Sequence, residues 1–448
     1  MLEMVSIVDE GLGHSSYVVG LGGGTALVVD PARFPDHQRS VAAERGWRIA
    51  WTADTHSHAD YISGSPELAA DGATFLASKG AGLEVAHRPI GAGEELEIAD
   101  RVTVRAIATP GHTPDHLAYL VSAGGVPVGL FSGGSLMVGA LGRTDLLGDE
   151  HREELARELF HALRAEILTL PDDLPVYPTH GAGSFCSAPS GSSRTTTIGT
   201  ERATNHLLGI EDEDEFVRTL VSELGSFPRY FREVPEINRR GPRLYPSLPD
   251  LVRLDLAAVQ AHLAAGAALV DARPIADFAR AHAAGSISIQ HRSVFASWLG
   301  WLLDLDRPVV FVLDEDTDRA DLVRQSLTIG HDAILGELDG GLATWIAAGL
   351  PTSSIDLVAP DGMRGTILDV RQVNEWAGGH VPDAIHTELG RLDPRSVPPG
   401  PVTVMCGHGE RAMTAASILQ AAGRAELAVL AGGPGDWSAA TGTPLATR

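Results

Sequence analysis

Residues 55–61 read Thr-His-Ser-His-Ala-Asp-Tyr, directly after the stretch WRIAWT at 47–52, which reads as a strand. His56 and His58 are two positions apart, so their rings share one face of an extended segment or converge in a loop. The same device recurs twice. VTVRAI at 102–107 leads into Thr109-Pro110-Gly111-His112-Thr113-Pro114, and the strand expected at 175–177 leads into Thr179-His180-Gly181. Three strand ends thus each deliver histidine into a turn. A lone histidine is ordinarily solvated or hydrogen-bonded in a core. Four imidazoles gathered in this way suit a transition metal such as Zn²⁺ or Fe²⁺.

Beyond about residue 250 the sequence repeats itself. LVDARPIADFARAHAAGSI, starting at Leu269, matches ILDVRQVNEWAGGHVPDAI, starting at Ile367. Asp271, Arg273 and His282 pair with Asp369, Arg371 and His380 at one constant offset; further on, Gly341 and Trp345 pair with Gly433 and Trp437. Two copies of an α/β unit of ~95 residues lie in tandem. The apolar runs at 308–313 and 401–405 read as buried parallel strands. The segment REVPEINRRGPRLYPSLPD at 232–250, dense in Pro, Gly and Arg, reads as a linker.

One loop separates the copies. In the later copy VTVM runs into Cys406-Gly407-His408-Gly409-Glu410-Arg411; in the earlier one FVL runs into Asp314-Glu315-Asp316-Thr317-Asp318-Arg319. A cysteine between a buried strand and a helix, followed by glycines, sits where backbone amides curl around one point and favour an anion. A thiolate there is a good nucleophile and can hold a transferable sulfur as a persulfide. The C-x4-R spacing is one residue short of a usual phosphate loop, so sulfur is favoured over phosphate. Cys406 is therefore the expected nucleophile, with Arg411 aligned beside it. Asp314, Glu315, Asp316 and Asp318 would repel a sulfur anion, so the earlier copy is expected to be silent and structural.

Composition sets bounds. The 448 residues carry a formal charge of −24, which opposes nucleic-acid binding and docking on an anionic membrane. A hydrophobic fraction of 44% is that of a globular chain. The sequence shows no apolar run of transmembrane length. The N-terminal MLEMVSIVDEGLG has acids where a signal peptide needs bases. Cys186 and Cys406 are the two cysteines; they are expected to be free thiols in a cytoplasmic protein.

The histidine motifs, with LFSGGSL, GRTDL and YPTHGAGSFC, resemble the metallo-β-lactamase fold over about residues 3–235, closest to its glyoxalase II and persulfide dioxygenase branch. SSRTTTIGTERATN at 192–205 resembles the persulfide dioxygenase branch in particular. The repeated DxR and GGxxxW landmarks, with GH(I/V)xxA at 379–384, resemble a tandem rhodanese; the resemblance implies that Cys406 carries the persulfide with Arg411 as its catalytic partner, and that Gly407, His408, Gly409 and Glu410 bind the substrate anion. The whole order resembles the persulfide dioxygenase–sulfurtransferase fusions of bacterial sulfide detoxification. The expected fold is α/β: an αββα metallo-β-lactamase sandwich at 1–240, an inactive rhodanese-like domain at 250–352, and a rhodanese domain with Cys406 at 355–448.

The resemblance implies a metal site and exposes two departures from it. Tyr61 stands where the family has a histidine, and Gly134 where it has a metal-binding aspartate. The first metal position keeps His56, His58 and His112; a second position, or support for the first, keeps Asp60 and His180, with Tyr61 beside them. Loss of the bridging carboxylate disfavours a two-metal hydrolase. A single ion is expected on the three histidines, Fe(II) first and Zn(II) as the alternative, with Asp115 and Asp145 as carboxylates that could stand in. Cys186, where the fusions carry a cysteine near the active-site entrance, is read as binding a thiol substrate or relaying sulfur. The expected partners are glutathione persulfide or another thiol persulfide, O₂, and sulfite or thiosulfate, in a homo-oligomer. Two alternatives stand beside this reading: a sulfurtransferase on a degenerate metal-free scaffold domain, and a mononuclear zinc thioester hydrolase.

Overall fold

Tyr17, Val19 and Leu21 alternate with Val18 along the strand His14–Gly22, and all four are buried. A strand buried on both faces must lie between two layers. In the computed structural model, which describes residues 2–186 and 193–447, it belongs to a six-stranded sheet. The order is Glu3–Asp9, His14–Gly22, Thr25–Val29, Arg48–Ala53, Thr74–Ser78, Arg88–Ile90. The first three strands pair antiparallel and the last four parallel. A second six-stranded sheet runs Thr196–Thr197, Pro175–Pro178, Val126–Gly133, Leu117–Ala123, Val102–Ala108, Glu95–Ala99.

The inward faces interlock: Tyr17, Val19, Leu27 and Val29 share a core with Val104, Ala106, Tyr119 and Phe131. Residues of opposite parity face outward under helices. Val18, Ala26 and Val28 pack with Val41 of the helix Asp36–Glu44. Ile107, Ala118 and Leu120 pack with Leu159 of Arg152–Ala162 and Phe216 of Glu213–Glu223. These layers make the expected αββα sandwich.

The stretch 192–205 closes the second sheet, apart from Ser192, which lies outside the described residues. Thr197 ends the edge strand and caps the helix Ile198–Thr204 by accepting from Thr200 N at 3.2 Å. The reading of 232–250 as linker needs correction in its first half. Val234–Arg240 is a helix that begins with a proline in its first turn and buries Val234 and Asn238. Its Pro and Arg content resembles a linker, but its two inward side chains anchor it.

The chain forms two compact units, 1–248 with 327–330 and 249–326 with 331–448. The second contains two five-stranded parallel sheets of the same topology. One runs Arg253–Leu254, Ile334–Leu338, Val309–Val312, Ala268–Asp271, Ile287–Ser288; the other runs Asp356–Val358, Leu427–Leu430, Val402–Met405, Thr366–Asp369, Ile385–His386. The repeated motifs prove structural. Asp271 holds Arg273, and Asp369 holds Arg371, in buried ion pairs of 2.6 and 2.7 Å. His282 stacks on Phe278 at 3.7 Å, and His380 on Trp376 at 3.6 Å. No described helix is long and apolar enough to cross a membrane.

Candidate metal centre and sulfur-transfer loop

The three histidine-bearing strand ends meet at one edge of the sandwich. Asp30, fully buried and just past the strand Thr25–Val29, ties two of them together. It accepts from Thr55 N at 2.7 Å, Thr55 Oγ1 at 2.8 Å and the hydroxyl of Thr179. The third end is shaped by Gly111, whose φ of 135° and approach to Leu159 (2.5 Å from an added Cβ) leave no room for a side chain.

Neighbouring groups set the tautomer of each ring. His112 Nδ1 lies 2.9 Å from the carbonyl of Arg143, which can only accept, so Nδ1 carries the proton. His58 Nε2 lies 3.1 Å from the Asp30 carboxylate and is likewise a donor. Thr55 Oγ1 spends its proton on Asp30, so at 2.8 Å it accepts from His56 Nδ1. In the neutral rings the opposite nitrogens, His56 Nε2, His58 Nδ1 and His112 Nε2, carry the lone pairs. His58 Nδ1 and His112 Nε2 have no hydrogen-bond partner. His56 Nε2 shares a hydrogen bond of 3.3 Å with His180 Nε2.

Such buried, unsatisfied atoms each cost ~1–3 kcal/mol, and a cation would satisfy them together. The residues present fit a transition metal. His56, His58 and His180 bring one ligand atom each within 4.8 Å of one another, as do His112, His180 and Cys186, so His180 is common to both sets. The rings of His56 and His112 are 4.9 Å apart. Burial and the neighbouring histidines hold His56 and His112 well below the usual histidine range, keeping them neutral. Burial also opposes charge on His58, yet Asp30 prevails and raises it.

The other candidates fall around this cluster. Asp60 Oδ2 lies 3.4 Å from His180 Nδ1. Tyr61 is wedged between His14 and His58, its ring 4.4 Å from each, and its hydroxyl contacts His58 Nε2 at 3.1 Å. Neither carboxylate considered as a stand-in is available. Asp115 accepts from Ser57 N and Oγ at 3.2 and 3.0 Å, and Asp145 clamps Arg143 at 2.7 and 2.9 Å. At Gly134 an added Cβ would lie 2.3 Å from His112 Cδ2, so the imidazole fills the space a side chain there would need. Cys186 is fully buried. A cleft of about 830 Å³ opens beside the cluster, lined by Ser57, Ala59, Thr113, Phe227, Phe231 and Arg232 among others.

Sequence reasoning missed the residues that brace these loops. Asn238 donates to the carbonyls of His58 and Tyr61, both at 3.0 Å, and accepts from Ser63 N. Asp30 offered one weak signal, an acidic residue at the end of an apolar strand.

In the second unit, Cys406 follows the strand Val402–Met405 and precedes the helix Glu410–Ala421. Gly409, at φ 106°, turns its amide to donate to Cys406 Sγ at 3.1 Å. Gly433 backs the loop so closely that an added Cβ would sit 2.4 Å from Gly407 O. Arg411 makes a two-pronged pair with Glu375 at 2.6 and 2.7 Å and lies 5.7 Å over the Trp298 ring of the earlier copy. His408 is exposed, and Glu410 lies 3.7 Å from Arg292. The corresponding loop of the earlier copy closes on itself: Arg319 pairs with Glu337 and donates to the carbonyls of Asp314, Glu315 and Thr317.

The rhodanese-like domain family matches residues 255–348 and 356–440. The crystal structure of a metallo-β-lactamase from Staphylococcus aureus subsp. aureus COL superposes with a TM-score of 0.67 at 27% identity, covering 75% of this chain and 98% of that one. The chain is a metallo-β-lactamase-fold and rhodanese fusion. The fusion is 34% identical over 162 residues to a hydroxyacylglutathione hydrolase of Polaromonas sp. strain JS666, covering 35% of this chain and 57% of that protein. It is 28% identical over 198 residues to the mitochondrial persulfide dioxygenase ETHE1 of Homo sapiens, covering 44% and 70%. It thus spans little more than half the length of the first of these relatives.

Proposed function

We propose that this fusion oxidises low-molecular-weight thiol persulfides to sulfite at one iron ion and passes sulfane sulfur through Cys406. The observation that carries the first half is the tautomer pattern: hydrogen bonds on one nitrogen each of His56, His58 and His112 leave the lone pair of the neutral ring on the other. These three residues would hold the ion together with His180, which shares a ligand set with His56 and His58 and another with His112, and Asp60 stands beside it. Iron, when bound, supplies activation of O₂ and a soft site for the terminal sulfur of the persulfide. The balance is RSSH + O₂ + H₂O giving RSH, sulfite and two protons. The chain supplies the cleft that admits the thiol, with Arg232 on its wall to meet a substrate carboxylate.

In the second unit the Gly409 amide stabilises negative charge on Cys406 Sγ. Sulfite attacks the outer sulfur of a Cys406 persulfide, the S–S bond breaks, and thiosulfate leaves while the thiolate returns to the cradle. The reverse direction loads Cys406 from thiosulfate. Similarity to persulfide dioxygenases and the rhodanese repeats support sulfur as the common element.

The test uses the full chain loaded with iron anaerobically. Glutathione persulfide should then drive O₂ uptake. Cys406→Ser should retain that uptake while losing thiosulfate-dependent sulfur transfer by at least a hundredfold. Zinc-dependent hydrolysis of S-lactoylglutathione without O₂ uptake would replace the dioxygenase reading with a thioesterase one.

A further inference from the structure

The fold places a sulfur where the sequence has lost a carboxylate. Cys186 has no exposed surface, so its thiol faces the interior rather than the cleft. It brings its sulfur within 4.8 Å of a nitrogen of His112 and of His180, which lie within the same distance of each other. Beside it, His112 Nε2 is a buried atom with no hydrogen-bond partner, and His180 Nδ1 lies 3.4 Å from the buried carboxylate of Asp60. A buried thiol serving only as a small apolar filler would be set among apolar groups; this one is set among imidazoles and a carboxylate.

One residue fixes the geometry. Arg143 accepts from His112 Nδ1 through its carbonyl at 2.9 Å and donates its amide to the carbonyl of Cys186 at 3.1 Å. Its guanidinium, clamped by Asp145, also donates to the Phe185 carbonyl at 2.7 Å. His112 and Cys186 come from loops far apart in sequence, yet both are registered on the same buried arginine. Ser184 Oγ accepts from Cys186 N at 3.1 Å and secures the turn from the other side.

We propose that Cys186 is a metal ligand of this centre, acting with His112 and His180 and supplying as a thiolate the negative charge absent at Gly134. This rests on the metal-binding reading above. On binding, the thiol loses its proton to solvent and the sulfur forms one bond to the cation, so metal uptake is coupled to release of a proton. A thiolate also favours a soft or borderline metal over Mg²⁺ or Ca²⁺.

The probe is Co(II), added anaerobically to full-length Cys406→Ser protein, in which Cys186 is the sole remaining thiol. This variant leaves the metal-binding unit untouched. The expected result is a near-ultraviolet sulfur-to-cobalt charge-transfer band that rises with the visible ligand-field bands and saturates with them. A second variant, Cys406→Ser with Cys186→Ser, should lose the charge-transfer band while any cobalt it still binds keeps its ligand-field absorption. Ligand-field bands without the charge-transfer band in the single variant would overturn the proposal and leave the histidine site standing. Absence of both bands would overturn the proposal and the metal-binding reading together. Should the double variant not fold, the single variant decides the question alone.

Discussion

Gly134 shows how much one position decides. Because an added Cβ there lies 2.3 Å from His112 Cδ2, restoring an aspartate cannot simply restore a ligand; it must displace an imidazole already in place. Gly134→Asp should therefore lower metal occupancy at least severalfold, as measured by elemental analysis of purified protein; unchanged or higher occupancy would show that His112 can move aside. Asp30 acts at the same scale. Asp30→Asn keeps the shape but removes the carboxylate that fixes the proton on His58 Nε2. It should weaken metal affinity by ~10–100-fold, read by competition with a chromogenic chelator.

The histidines themselves were legible because each sits next to a turn at a strand end. Asp30, Arg143 and Asn238 were not. Their roles depend on partners at remote places in the chain, and no local pattern marks a residue that braces another loop.

Among the elements, the buried parallel strands of the repeat could be read from apolar runs, whereas the αββα layering came only through the resemblance carried by the histidine motifs. The helix Val234–Arg240 could not, since its composition is that of a linker and only its buried Val234 and Asn238 disclose it. The contribution of the earlier rhodanese copy was also hidden. Its helix Phe295–Leu302 places Trp298 beside Arg411 and presses Trp301 against Gly390 of the later copy, where an added Cβ would lie 2.1 Å from the indole. Ser288 N donates to Ser417 Oγ and His282 contacts Gln420, both on the helix that starts at the Cys406 loop. Trp301→Ala should cost ~3–5 kcal/mol of unfolding free energy in the second unit, measured by urea denaturation. A 355–448 fragment should transfer sulfur less efficiently than the full chain, because it lacks this support.

For the whole molecule, two compact units imply separate responses to pH. In the second unit, burial lowers the pKa of His331 from 6.5 to about 4. The unfolded chain binds that proton below about pH 6.5, whereas the folded chain resists it. Stability from this group is thus complete above pH 6.5 and falls as pH drops toward 4, by ~1.4 kcal/mol per unit. Wild type should lose about 2 kcal/mol more than His331→Leu between pH 7.5 and about pH 5, as read by urea unfolding at both pH values; equal losses would place the proton elsewhere. Sequence pattern revealed that this unit is a repeat, but not that a buried histidine would add to its acid sensitivity, since the burial of His331 is set by tertiary packing.

The central claim is that bare imidazole nitrogens from three strand ends hold one cation. Its most direct measurement is iron content per chain after anaerobic reconstitution and gel filtration, in wild type and in His112→Ala. The account predicts close to one iron in the wild type and a large loss in the variant. Wild-type protein that leaves the column without metal, or a His112→Ala variant that retains a full complement, would contradict it.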